Sequence, residues 1–182
     1  MANLQVVNHD PWGKVSWVRI RQYGVDGQLK MEQHVRNNRL TMGALWQANT
    51  LFGTVADGTI GCIGLTGTIA TPTGTEVLLI AEFVGTYGLY RAAATRQNYV
   101  APTALNGTFV IDIYHQFTHT GTGTAIGIGM AALFNKLASF AGGTGSICLA
   151  SGGTIFALAT FTQGPATLSV GEKLDVTWSI SA

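Results

Sequence analysis

The chain has 182 residues, enough for one domain with its own core, or one domain plus a small extra element. Charged residues make up 10 % of it, against about 25 % in ordinary soluble domains, while glycine fills 24 positions and the formal net charge is +1. That balance gives no basis for a nucleic-acid-binding surface and points to a surface that faces other protein.

Met1-Ala2-Asn3 leads into polar residues, so no secretion signal is expected. Residues 1–53 carry six basic side chains against three acidic ones, a local +3, and the remainder carries four against six, a local −2. They also hold Trp12, Trp17 and Trp46, three of the four tryptophans. The stretch Lys14 to Gln22 predicts a strand, and Gly24 and Gly27 bracket a turn at Asp26. A helix is expected over about residues 38–52: Asn37 or Asn38 caps it, Leu40, Ala44, Leu45, Ala48, Leu51 and Phe52 recur at helical spacing, and Gly53 stops it. We therefore divide the chain into an N-terminal arm with strand and helix, 1–53, and a β body, 54–182. Residues 1–36 are expected to reach out and contact a neighbouring subunit, the alternative being an extra strand and turn packed on the home domain. Trp12 and Trp17 are the candidate anchors, and Arg19, Arg21 and Arg36 the candidate charge partners.

From Thr59 onward, short apolar runs alternate with Gly, Thr, Pro and Asn. Strands are predicted at residues 59–65, 77–84, 108–118, 125–134, 147–149, 154–161 and 173–181. In one of them Phe109, Ile111, Ile113, His115 and Phe117 share a face, opposite Val110, Asp112, Tyr114 and Gln116. In the last, Leu174, Val176, Trp178 and Ile180 oppose Asp175, Thr177 and Ser179. Period-two alternation of this kind marks half-buried antiparallel strands, and the Gly171-Glu172 turn folds the final one back. The fold class is all-β: an antiparallel β-sandwich or jelly roll, with the N-terminal arm and one short helix. The apolar runs are too interrupted for a membrane-spanning helix.

Chemistry-bearing motifs are scarce. His115 and His119 stand four apart, but on a strand that spacing spans roughly 13 Å, too far to share a metal. Gly121-Thr122-Gly123-Thr124 lacks the Lys-Ser or Lys-Thr of a phosphate loop and reads as a hairpin tip, and Gly142-Gly143-Thr144-Gly145 reads the same way. Ser146 and Ser151 complete no nucleophile elbow, and Glu76, Glu82 and Asp112 have no evident pairing as catalytic carboxylates. Asn106-Gly107-Thr108 matches a glycosylation sequon but reads as a turn before a strand. Cys62 and Cys148 fall in apolar strand-like runs and are expected as free thiols. No enzyme activity, cofactor or metal is expected.

Over residues 59–182 the chain resembles the small virion structural proteins of tailed bacteriophages. The likeness runs through Ile63-Gly64-Leu65-Thr66-Gly67, then Glu82, Tyr87, Tyr90, Arg91 and Arg96, then Phe109-Val110-Ile111-Asp112 and the Gly-spaced strand from Ala125 to Phe134. Its best marker is the closing Gly171-Glu172-Lys173-Leu174-Asp175-Val176-Thr177-Trp178-Ser179-Ile180. The resemblance implies a non-enzymatic virion protein, assembled in the host cytoplasm. Its implied partners are the major capsid protein or other virion proteins, with no nucleic acid or membrane, and it is expected to be a homo-oligomer. The leading role is a capsid decoration, or cement, protein. The alternatives are a tail or baseplate component, or a receptor-binding adhesin that stacks a host glycan on Tyr87, Tyr90 or Tyr99.

Overall fold

The computed structural model describes residues 17–36, 38–39, 60–73, 75, 79–83, 87–100, 110–135 and 155–181. Across them the protein is all-β. In chain order the strands are β1 (Trp17–Tyr23), β2 (Leu29–Arg36), β3 (Asn38–Arg39), β4 (Ile60–Thr66), β5 (Ala92–Ala93), β6 (Thr95–Val100), β7 (Val110–Thr118), β8 (Ile126–Ile128), β9 (Met130–Asn135), β10 (Ile155–Thr160), β11 (Ala166–Leu168) and β12 (Lys173–Ser181). One five-stranded sheet runs β2-β1-β12-β7-β6, a second runs β3-β10-β9-β4-β5, and β11 pairs with β8 in a separate ribbon. Every pairing among the described strands is antiparallel. The sandwich predicted from alternation is the architecture found.

The alternation explains the packing. Val18, Ile20, Val35, Ile113, Phe117, Leu174, Val176 and Trp178 turn inward from the first sheet. They meet Ile63, Leu65, Ala131, Leu133, Ala157 and Ala159 of the second sheet in one core, joined by Ile128, Ala166 and Leu168 of the ribbon. The second sheet is buried on its other face too. Cys62, Met130, Ala132, Phe134, Ile155 and Leu158 form a second cluster there with Leu79 and Ala70. This is why its strands read as continuous apolar runs rather than alternating ones. Ala70 and Leu79 supply the cover. The Thr66 hydroxyl faces the carbonyls of Ile80 and Ala81 at 2.7 and 3.0 Å, and the Thr160 hydroxyl donates to the Ala70 carbonyl at 2.7 Å.

At two points the chain steps from the edge of one sheet to the edge of the other. Asn37 separates β2 from β3, and Ala94 separates β5 from β6. Both flanks of the sandwich are thus joined by covalent chain.

Several expectations need correction. Residues 17–36 do not reach away from the body. They form a hairpin with Gly27 in the left-handed region (φ 77°), and β1 lies inside the first sheet between β2 and β12. The physical reason is Val18 and Ile20, which are fully buried in the common core. The proposed arm boundary at 53 therefore does not separate these strands from the body; residues 1–16, with Trp12, lie outside the described residues. The expected helix over 38–52 begins instead with a strand, since Asn38 and Arg39 pair with Leu158 and Ala157; residues 40–52 lie outside the described residues. The strand expected at 77–84 is, over residues 79–83, a turn with Ala81 at φ 49° and a single bridge from Glu82 to Thr66. The strand expected at 125–134 is two strands in different sheets, broken at Gly129, where a Cβ would fall 2.7 Å from the Thr68 carbonyl. The Gly121–Thr124 stretch is a connection between sheets rather than a hairpin tip, because β8 pairs with β11 and not with β7. Cys62 is disulfide-bonded, not a free thiol. Its position, buried beside Phe134 in a closely packed cluster, gave no sign of that; the one other cysteine of the sequence, Cys148, lies outside the described residues.

Candidate protein interface

The outer face of the first sheet collects the polar halves of its alternating strands. Register fixes which side chains are neighbours. Arg36, Trp17, Ser179 and Asp112 form one row across β2, β1, β12 and β7. His34, Arg19, Thr177 and Tyr114 form the next, and Glu32, Arg21, Asp175 and Gln116 the third.

Two carboxylates organise the β12–β7 side. Asp112 accepts from the Ser179 hydroxyl at 2.6 Å and the Asn98 amide at 2.8 Å. Asp175 accepts from the Tyr114 hydroxyl at 3.1 Å and the Gln116 amide at 2.8 Å. Partial burial, together with the Asp175 charge, pushes the Tyr114 phenol up to about 12, so it stays a donor throughout the physiological range. On the β1–β2 side Glu32 sits 3.0 Å from His34 Nε2 and 3.3 Å from Arg21 Nε. The His34 hydrogen bond, aided by Arg21, holds the Glu32 carboxyl below its usual range.

Of the five interface candidates, the structure brings four together here. Trp17 is 45 % exposed at the end of β1, opposite Arg36 on β2. Arg19 lies two residues along the same face, and neither Arg19 nor Arg36 makes an ion pair among the described residues. Arg21 is different: Glu32 already occupies it. Trp12 lies outside the described residues. The result is an exposed indole flanked by two uncommitted guanidinium groups, beside a hydrogen-bonded polar sheet. Such a surface can bury an aromatic anchor and meet carboxylates on a partner. Sequence reasoning placed Asp112, Tyr114, Asp175 and Ser179 on outward faces but missed Glu32 and His34. Their only signal was the alternation Lys30, Glu32, His34, Arg36, on a strand too polar to stand out.

Four further titratable groups, Glu172, Glu82, His115 and His119, are engaged within the fold. Glu172 is buried and accepts from Gln22 Nε2 and from the Ser169 amide, both at 2.9 Å, and it pairs with Lys30. Burial raises its pKa, but the Lys30, Ser169 and Gln22 hydrogen bonds outweigh that and hold it low. Glu82 is clamped by Arg91 on the far side of the second sheet, so it is no partner for Asp112. His115 stacks edge-on to Phe117 at 4.6 Å in the core-facing row, while His119 packs edge-on to Tyr87 at 5.6 Å in a buried corner. Among the described residues no group of His, Cys, Asp and Glu is arranged to hold a metal, and no helix is long and apolar enough to cross a membrane. No protein-family model, curated protein or solved structure matches this chain.

Proposed function

We propose that the chain is a non-enzymatic virion structural protein, a capsid decoration protein that binds the assembled shell and stabilises it. The observation that carries the reading is the outer face of the first sheet, where Trp17 and Arg36 stand exposed and Arg19 half-buried on a hydrogen-bonded platform. The sequence resemblance over residues 59–182 supplies the context of a phage particle, with the major capsid protein as partner. A protein that binds only the assembled shell stabilises it by mass action, and many identical contacts act together. Weak individual contacts therefore suffice.

A second reading, an adhesin that recognises a host glycan, has one observation in its favour. Tyr87 is 42 % exposed and sits in the left-handed region (φ 66°), its ring backed by His119. An aromatic presented in that way can stack on a sugar. Particles with and without the protein separate the two readings. The decoration role requires that particles lacking it assemble but break at lower temperature, with adsorption to cells unchanged. Unchanged heat resistance with lost adsorption would sink it and favour the adhesin.

A further inference from the structure

Sheet edges invite pairing with other chains, and proteins blunt them with short strands, bulges or inward-facing charge. Among the described strands, three of the four edges of the two five-stranded sheets are blunted. β3 and β5 contain two residues each. β6 pairs irregularly with β7 between Gln97 and Val100, with Asn98 at φ 50° in the break. The fourth edge, β2, is eight residues long, without proline, and pairs with β1 in continuous register from Arg36 to Met31. Of its charges, Glu32, His34 and Arg36 lie on the outer face, while Lys30 is the extra residue of a register shift and pairs with the buried Glu172. The inner-face residues Met31, Gln33 and Val35 carry none, so from Met31 to Arg36 the edge has no inward charge. Among the described residues no strand lies on its other side.

We propose that β2 is a self-association edge, pairing antiparallel with β2 of a second copy about a two-fold axis at His34. Two arguments fix the register. Pairings that set outer-face residues against inner-face ones would flip the face of one sheet, so only every second register keeps the two sheets continuous. Of those, the axis at His34 places Glu32 of each copy opposite Arg36 of the other, twice. Moving the axis to Gln33 would set Lys30 against Arg36, twice, and leave Glu32 facing His34 instead of Arg36. Arg36 makes no ion pair within its own chain among the described residues, so it is available. The product is a ten-stranded sheet across the dimer, with the Trp17 surfaces of both copies on one side. This deepens the homo-oligomer element of the proposed function by naming the surface, though the geometry stands without the virion.

The test is a charge swap, read by sedimentation equilibrium of the full chain. Glu32→Arg alone and Arg36→Glu alone should each weaken the dimer by roughly tenfold or more, since two attractive pairs become repulsive. The double variant should restore it to near the wild-type value. Unchanged thermal unfolding of each variant shows that the fold is intact. As a second measure, His34→Cys should give a covalent dimer on mild oxidation and Val25→Cys, on the hairpin tip, should not. A wild-type protein that stays monomeric at high micromolar concentration overturns the inference. So does an oligomer indifferent to the three charge variants, and that outcome leaves a homo-oligomer intact by another surface. Heat resistance of particles tests the decoration role separately.

Discussion

Arg91 lies flat on Phe134, its guanidinium carbon 3.4 Å from the ring centroid. The same guanidinium grips Glu82 with two hydrogen bonds, of 2.7 and 2.6 Å, and both side chains are almost wholly buried. The pair pins residues 79–83 over the second sheet. Gly64 leaves the room: a Cβ there would fall 2.5 Å from Glu82 Oε1 and 2.9 Å from the Phe134 ring. Arg91→Ala leaves the Glu82 carboxylate charged and dry, and Glu82→Ala takes a bidentate partner from a buried guanidinium. Arg91→Ala or Glu82→Ala should therefore lower stability by about 3–5 kcal/mol. Arg91→Lys should lie between, because it keeps the charge but loses the planar fork and the stacking. A double change to Met at both positions should recover most of the loss. Urea unfolding of the four variants checks this, and an Arg91→Ala loss under about 1 kcal/mol would contradict it.

Acid should weaken the fold in two stages. Burial lowers the His115 pKa from 6.5, against opposing contributions from the Ala93 backbone and Asp175. The unfolded chain therefore binds a proton near pH 6.5 that the native state still refuses, and stability falls as pH drops through that value. Glu172, held below 4.5 in the folded protein, keeps its contribution above pH 4.5 and loses it as pH falls further. The thermal midpoint should decline first around pH 6.5 and again below pH 4.5. His115→Gln should remove the first stage alone. A midpoint that is flat between these two values would refute the assignment to His115.

Reduction should be costly. With Cys62 in a disulfide, the unreduced, denatured protein should show no titratable thiol. Reduction, or Cys62→Ser, should cost about 2–4 kcal/mol. Two thiols reacting with a colorimetric reagent before reduction is the result that counts against this.

The Trp17 surface should be separable from the fold. Trp17→Ala and Arg36→Ala remove exposed side chains and should move stability by no more than about 0.5 kcal/mol. Both should weaken binding to shells stripped of the protein, Trp17→Ala by tenfold or more if the indole is an anchor. Arg21→Ala should matter less, since Glu32 already occupies that guanidinium. Co-sedimentation of each variant with stripped shells gives the ranking. Equal binding by all three variants and the wild type places the contact elsewhere.

The sequence made the faces of β7 and β12 legible because each alternates strictly over nine residues. The bounds of β12 were read without error for the same reason. β2 was invisible, because an edge strand with Glu32, His34 and Arg36 on one face and Gln33 on the other lacks an apolar row. Gln33 is nonetheless buried, tied by its amide to the Gly164 carbonyl at 3.2 Å. The split at Gly129 escaped detection because β8 and β9 are both apolar, and only tertiary pairing assigns them to different sheets. The interface candidates were named from composition. That Trp17, Arg19 and Arg36 converge depends on register, which no local pattern encodes. The same holds for the arm, since composition marks residues 17–36 as different without saying that they dock.

β12 lies between β1 and β7, paired along both sides. Its neighbour β1 is among the first described residues to be synthesised, and its own residues are among the last. Gln22 and Glu172, which share a hydrogen bond at the turn leading into β12, are 150 positions apart. On a ribosome, β1 and β2 emerge as a hairpin whose inner flank has no partner until Ser181 has been added. A two-stranded hairpin alone is marginal in water, so Val18 and Ile20 stay wet throughout that interval. The first sheet closes in one late event, with a high sequence separation that slows the search. During synthesis the exposed flank of β1 is the same kind of edge as β2, and nascent chains on neighbouring ribosomes are the nearest strands for either one to find.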